Sequence, residues 1–264
     1  MTILEQPRLI GGVTGSLIGV ATAVVRAADV VVLLAPVPGH PRTGEHRLHV
    51  RLARELAHVG VPSMRFDPAD GGDTSPTATQ AARYEGDLVA AAEDLIAQHR
   101  QARLVIASFG DSALPTARSL RAIRAASLPL AALCFVDPRL ATVRPIEPRS
   151  RWRRISGRAS PTMEALDDFS SLLHDDERTW LGLAGELRKT DTSLHVAAGH
   201  ELHARELMRN LVAEDRGWQR ALRTPPEAFR RFDGADPAWS HPGHWRALVE
   251  WIVQQITHRR HRAR

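Results

Sequence analysis

The residues best suited to chemistry in this 264-residue chain are its 13 histidines, several of which stand in pairs three residues apart. These pairs are His46/His49, His200/His203, His241/His244 and His258/His261. The zinc-binding helix of metalloproteases spaces its two histidines four apart, so that both face one metal ion. The stretch from His200 to His203 misses that spacing by one residue. A metal site needs three or four converging donors, so pairs alone predict surface histidines and no metal.

Two glycine patterns resemble nucleotide-binding loops, but each lacks a feature that such a loop requires. Residues Gly39 to Gly44 have the glycine spacing of a phosphate loop, but Glu45 stands where a lysine must reach the phosphates, and a carboxylate repels them. Gly11 to Gly15 follow a predicted strand but open no helix, unlike a dinucleotide fingerprint. The sequence therefore predicts no nucleotide cofactor.

The composition is that of a globular protein, with 43% apolar and 25% charged residues and a formal charge of +5. The apolar runs are too short to span a bilayer, and the first residues lack a secretory pattern. Cys134 is the single cysteine, which excludes an internal disulfide. We expect a cytoplasmic protein without a nucleic-acid partner, whose basic run 258–264 is a solvated tail.

Strands and helices alternate along the chain, and these elements must position any functional site. Up to residue 136 the pattern predicts a hairpin at 8–15 and 16–25, strands at 30–36, 61–66, 104–109 and 128–136, and helices at 45–59, 77–98 and up to 125. Irregular residues 139–189 follow, with a basic stretch at 149–158. The alternation then resumes with strands at 193–198 and 229–232 and helices at 204–212 and 243–258. This order predicts one domain with a mostly parallel, doubly wound sheet, interrupted after its sixth strand.

Five stretches, taken in chain order, resemble one family of enzymes. They are Arg42-Thr-Gly44-Glu-His46-Arg47, Arg65-Phe-Asp67 with Gly72-Asp73-Thr74, Leu133-Cys-Phe-Val-Asp-Pro138, Ala198-Gly-His-Glu201-Leu-His-Ala204 and Gly234-Ala-Asp-Pro237-Ala-Trp-Ser240. In order and spacing they are similar to motifs of the exosortase-A-associated hydrolases, within the α/β-hydrolase superfamily. The resemblance implies an α/β-hydrolase fold over residues 1–264 with a lid at 139–190.

The resemblance also implies where nucleophilic acyl transfer would take place. The nucleophile belongs on a sharp turn after a strand, between small residues, with a histidine base and an orienting acid on later loops. The turn Ser108-Phe-Gly110-Asp111-Ser112 places Gly110 at the nucleophile position. The histidine position holds Pro237, and the acid position holds Glu201. In the oxyanion loop, Pro38 between Val37 and Gly39 has no N–H to donate.

The favoured interpretation is a hydrolase fold without a working triad, which binds a small molecule or a protein partner. The motif residues outside the triad then have structural roles: Arg42, Gly44, His46, Arg47, Asp67 and Asp73. Two alternatives stay open. One is a serine hydrolase of esters, thioesters or amides that acts on an acyl substrate through a displaced triad of Ser112, His241 and Glu201. The other is metal-dependent activity from His200, Glu201, His203, His241 and His244.

Overall fold

The computed structural model describes residues 3–13, 15–24, 28–69, 71–74, 81–138, 179, 182–183, 186–187, 192–199, 229–236 and 239–262. Its centre is one sheet of eight strands in the order β1-β2-β4-β3-β5-β6-β7-β8. The strands are β1 Leu4–Gly12, β2 Gly15–Ala23, β3 Val30–Ala35, β4 Ser63–Phe66, β5 Arg103–Phe109, β6 Leu130–Val136, β7 Ser193–Ala198 and β8 Phe229–Arg231. The predicted fold class is confirmed.

Helices cover both faces of this sheet. The helices with described bounds are α1 Leu48–His58, α2 Ala81–Gln98, α3 Ala113–Ala125 and α4 Pro242–Arg262. One apolar cluster packs α2 and α3 against one face of the sheet, and a second cluster packs α1 and α4 against the opposite face. The predicted apolar stripe of the last helix is confirmed, because Leu248, Trp251, Ile252 and Ile256 are all buried in the second cluster.

The pairing of the strands determines which loops meet. β1 and β2 form the predicted antiparallel hairpin, β2 pairs antiparallel with β4, and the remaining neighbours are parallel. At the carboxyl end Ala35 of β3 lies beside Ser108 of β5, and Phe109 lies beside Val136 of β6. The loops after β3, β5 and β6 therefore lie side by side, where ligands bind in open α/β sheets.

Two helix boundaries differ from the prediction. The first helix was predicted from residue 45, but Glu45–Arg47 form a separate 3-10 turn and α1 begins at Leu48. The reason is backbone conformation, since His46 (φ 47°) and Arg47 (φ 60°) are left-handed and cannot continue an α-helix. The last helix continues through the predicted basic tail as far as Arg262. The predicted helix at 204–212 lies outside the described residues, as does nearly all of the predicted lid.

Among the residues that the structure describes, no helix combines the length and the apolar character needed to cross a membrane.

Candidate functional site

The turn that follows β5 leads from the strand straight into a helix, as is expected of the segment to which the resemblance assigns the nucleophile. The strand ends at Phe109, Gly110 adopts a left-handed φ of 52°, and a short 3-10 turn leads directly into α3. This conformation strains any residue with a Cβ, whereas glycine adopts it at little cost. The structure therefore places Gly110 at the apex of this strand-to-helix turn.

No described residue fills the space beside Gly110. A Cβ atom built on this residue would meet no atom of the described residues within 4 Å, setting aside its chain neighbours and the backbone of its own helical turn. By contrast, a Cβ on Gly71 would come within 2.9 Å of the backbone of the loop after β3. Packing against the described residues therefore does not require a glycine at the apex.

The hydroxyl groups near the apex are buried and hydrogen-bonded. Ser112 is fully buried; its Oγ accepts from the N–H of Phe109 at 2.7 Å and donates to the carbonyl of Phe109 at 3.0 Å. Ser108 is also buried, and its hydroxyl donates to Thr116 at 2.9 Å. Both serines thus stabilise the turn from inside, a geometry that disfavours either one as a nucleophile.

The loop after β3, which the resemblance assigns to the oxyanion site, folds into a tight turn. The N–H of His40 donates to the carbonyl of Val37 at 2.9 Å, and Gly39 is left-handed with φ 76°. The carbonyl of Pro36 accepts a hydrogen bond from the Tyr84 hydroxyl at 2.8 Å, which anchors the loop to α2. The loop is therefore held in one conformation beside the elbow.

A buried carboxylate fixes the next part of this loop. Asp67, at the end of β4, is fully buried and accepts from the N–H of Arg42 at 2.6 Å and from the N–H of Asp73 at 2.9 Å. The Arg42 guanidinium binds Asp67 and also Asp73, at 2.9 Å. Arg42, Asp67 and Asp73 are thus hydrogen-bonded to one another, while Arg47 of the same motif is exposed.

The glycine and histidine of the same motif have different roles. Gly44 is left-handed (φ 66°), and a Cβ there would lie 2.8 Å from the ring of His49, so a larger residue would displace that ring. His46 is exposed. His49, the second histidine of this pair, is buried. The centroid of its ring lies 4.8 Å from that of Phe109. His49 thus links α1 to the residue before the apex, a contact that the sequence analysis did not find.

His49 is neutral at physiological pH. Burial lowers its pKa from 6.5 to about 4, with a smaller contribution from the charge of Arg65, while a hydrogen bond to the backbone of Arg42 acts in the opposite direction. Among the described residues, its Nδ1 atom has no hydrogen-bond partner. Burial of an imidazole that lacks a second hydrogen-bond partner favours its neutral form over its charged form.

We expect this histidine to make the protein sensitive to acid. The folded-state pKa lies below the ordinary 6.5, so the unfolded chain takes up the proton first. The stabilisation is complete above pH 6.5 and is lost as the pH falls towards 4, by about 3 kcal/mol in total. In urea titrations from pH 7 to pH 4, His49→Gln should remove this loss, and the exposed His58→Gln should retain it. An unchanged pH profile in His49→Gln would contradict the assignment.

A second buried carboxylate joins three loops at the other side of the apex. Asp137 follows β6 in a left-handed conformation (φ 45°) and accepts hydrogen bonds from the N–H of Gly199 and, at 3.1 Å, from Nε1 of Trp239. A Cβ on Gly199 would lie 2.7 Å from Oδ2 of Asp137. The ends of β6 and β7 and the loop before α4 are therefore tied together by Asp137, a residue that the sequence analysis quoted but did not assign.

The structure describes only some of the remaining predicted site residues. His241 is exposed, its Nδ1 accepts from the N–H of Gly243 at 3.2 Å, and its ring centroid lies 5.1 Å from that of His244. The described residues hold no group of three metal-binding side chains. Glu201 and Pro237 lie outside the described residues, as do His200 and His203. Asp111, next to the apex, is half-buried.

Solved structures of hydrolases resemble the chain over nearly its whole length. An α/β serine hydrolase homologue from Coxiella burnetii has a TM-score of 0.63 and 16% identity, covering 97% of this chain and 99% of its own. A lidless α/β serine hydrolase from Xanthomonas campestris has a TM-score of 0.60 and 16% identity, covering 97% and 94%. A dienelactone hydrolase from Anabaena variabilis has a TM-score of 0.59 and 11% identity, covering 98% and 99%.

These similarities identify the fold as that of the α/β hydrolases. No protein-family profile matches the sequence, and no curated protein matches it.

Proposed function

We propose that this α/β-hydrolase-fold protein is catalytically degenerate and binds a small molecule or a protein partner at the carboxyl edge of its sheet. The observation that carries the proposal is Gly110, which stands at the apex of the turn after β5 in the left-handed conformation, where no atom of the described residues lies within 4 Å of a Cβ built on it. A glycine has no group that can attack an acyl carbon. The turn itself is present, but residue 110 offers no nucleophilic side-chain atom that could form a covalent intermediate with a substrate.

The surroundings of Gly110 support a binding role. The carboxylates of Asp67 and Asp137 are buried and hydrogen-bonded, and they tie the loops on either side of the apex to the sheet. Pre-ordered loops lower the conformational entropy that a ligand must overcome, which favours binding whether or not a reaction follows. The sequence adds Pro237 at the histidine position, a residue that cannot transfer a proton.

The experiment combines two probes of hydrolase chemistry. The protein is incubated with short-chain p-nitrophenyl esters and, separately, with a fluorophosphonate that labels activated serines. We expect neither turnover above the rate of a heat-denatured sample nor a labelled residue. Labelling at Ser112, with turnover that disappears in Ser112→Ala, would replace this proposal with the displaced triad of Ser112, His241 and Glu201. Turnover abolished by a chelator would instead favour the histidine metal site.

Ser112→Ala should change stability rather than activity. The variant loses both hydrogen bonds that the hydroxyl makes with Phe109, so we expect the free energy of unfolding to fall by about 1–2 kcal/mol. Urea denaturation measures this loss. Ser240→Ala is a suitable control, because its hydroxyl bonds Asp236 at an exposed position. A Ser112→Ala variant as stable as the wild type would show that these bonds contribute little to the turn.

A further inference from the structure

The outer edge of the first strand is long and open. β1 stands at one end of the sheet, and among the described residues it pairs with β2 alone. It has nine residues, whereas β8 at the other end of the sheet has three, of which Arg230 and Arg231 are exposed. Short strands and charged side chains are common means by which proteins keep sheet edges from pairing. The described part of β8 has both of these protections, and β1 is three times as long.

The charged residues of β1 do not protect its edge, because each of them is engaged within its own subunit. Arg8 binds both carboxylate oxygens of Asp94 on α2, at 3.2 and 2.7 Å. Glu5 binds Arg54 of α1, at 3.2 and 3.3 Å. A contact between two copies of one surface sets like charges against each other unless they are already paired. This edge meets that condition, although the chain as a whole carries a formal charge of +5.

An apolar patch adjoins the open edge. Pro7 and Leu9 of β1 are exposed, and they lie opposite Val20 and Ile18 of β2, which are half-buried. The exposed fraction of Leu9 is 74%, larger than that of Leu4 at the start of the same strand, at 53%. An exposed apolar patch beside an unpaired strand edge is typical of a surface that another chain covers.

Pro7 determines which part of the edge can pair. It has no N–H to donate to β2, so its backbone faces outward, and by alternation along the strand so do the backbones of Leu9 and Gly11. If Leu9 lies opposite Leu9 of an antiparallel partner, the two residues exchange two hydrogen bonds, and each Gly11 N–H donates to the Pro7 carbonyl of the other copy. In this register each Arg8 lies opposite Ile10 and not opposite the other Arg8.

We propose that a second copy of this chain pairs with β1, antiparallel and about a two-fold axis at Leu9, so that the two sheets become one continuous sheet. The occupant is a second copy because both sides then present the same neutral edge and the same exposed leucine. The two Leu9 side chains, with Cβ atoms about 5 Å apart, cover each other. Three strands separate β1 from β5, so the interface does not involve the turn at Gly110.

Analytical ultracentrifugation over a range of protein concentrations measures the association. We expect a wild-type dimer with twice the 29.1 kDa mass of one chain. Leu9→Glu should raise the dissociation constant at least about a hundredfold, because it replaces an apolar contact with two facing carboxylates. Val59→Glu is the matched control. Val59 is also an exposed apolar residue, but it follows α1, so its substitution should leave the dissociation constant unchanged.

Gly11→Pro tests the backbone hydrogen bonds separately. Proline removes the outward N–H, and a Cβ at this position meets no described atom within 4 Å, so the pairing with β2 should remain. We expect the dissociation constant to rise about tenfold or more, whereas Gly11→Ala, which keeps the N–H, should not change it. Urea denaturation checks that each variant is folded. A wild type that stays monomeric at every concentration would leave this edge to a different occupant and overturn the proposal, as would a dimer that withstands both Leu9→Glu and Gly11→Pro.

Discussion

Asp67→Asn is expected to lower the free energy of unfolding by about 3–5 kcal/mol, the cost of removing one partner from a buried ion pair. The carboxylate accepts hydrogen bonds from the backbone N–H groups of Arg42 and Asp73 and from the Arg42 guanidinium. An asparagine has one acceptor oxygen, and its amide group would place N–H donors against N–H donors. The substitution leaves Arg42 partly buried without its main counter-charge, since Asp73 is 70% exposed.

Urea denaturation at pH 7 measures this effect. Asp94→Asn is the matched control, because Asp94 also pairs with an arginine, Arg8, but at a partly exposed position. Such pairs contribute about 0–1 kcal/mol, so the control should lose little stability. If the two variants lost the same amount, the bonds of Asp67 would contribute no more than a partly exposed ion pair and would not be what holds the loop.

Gly110→Cys is expected to create a thiol that reacts with iodoacetamide at least about a hundredfold faster than the natural Cys134. Cys134 is fully buried within β6, so it reacts only when the protein opens locally. Within the part of the chain that the structure describes, a Cβ at residue 110 meets no atom within 4 Å, so we expect the new thiol to be accessible. The left-handed φ of 52° costs a residue with a Cβ about 1–2 kcal/mol, which the fold should tolerate.

Ser112→Cys is the control for position. It introduces a thiol two residues from the apex, at a fully buried site, and we expect it to react as slowly as Cys134. The alkylation rate of each variant is followed by mass spectrometry on the folded protein. If Gly110→Cys reacted no faster than Ser112→Cys, the apex would be closed to ligands, and the proposed binding role at this position would lose its basis.

The sequence by itself determined the order of the strands and helices, because that order is written in local patterns. Continuous apolar runs such as Val30–Ala35 indicate strands buried on both faces, and the stripe through Leu248, Trp251 and Ile252 indicates a helix packed on one side. It also determined that the position which the resemblance assigns to the nucleophile lacks a reactive group. Gly110 has no side chain in any fold, and no tertiary contact supplies one.

Tertiary structure alone decided which polar groups are buried and which partners they have. His49 and His46 belong to the same histidine pair in the sequence, yet His49 is buried against Phe109 and His46 is exposed, because α1 begins only after two left-handed residues. Asp137 and Trp239 are 102 residues apart and meet through the pairing of three strands. Local patterns report on residues within a turn or a strand, whereas hydrogen bonds between loops depend on how the sheet brings distant segments together.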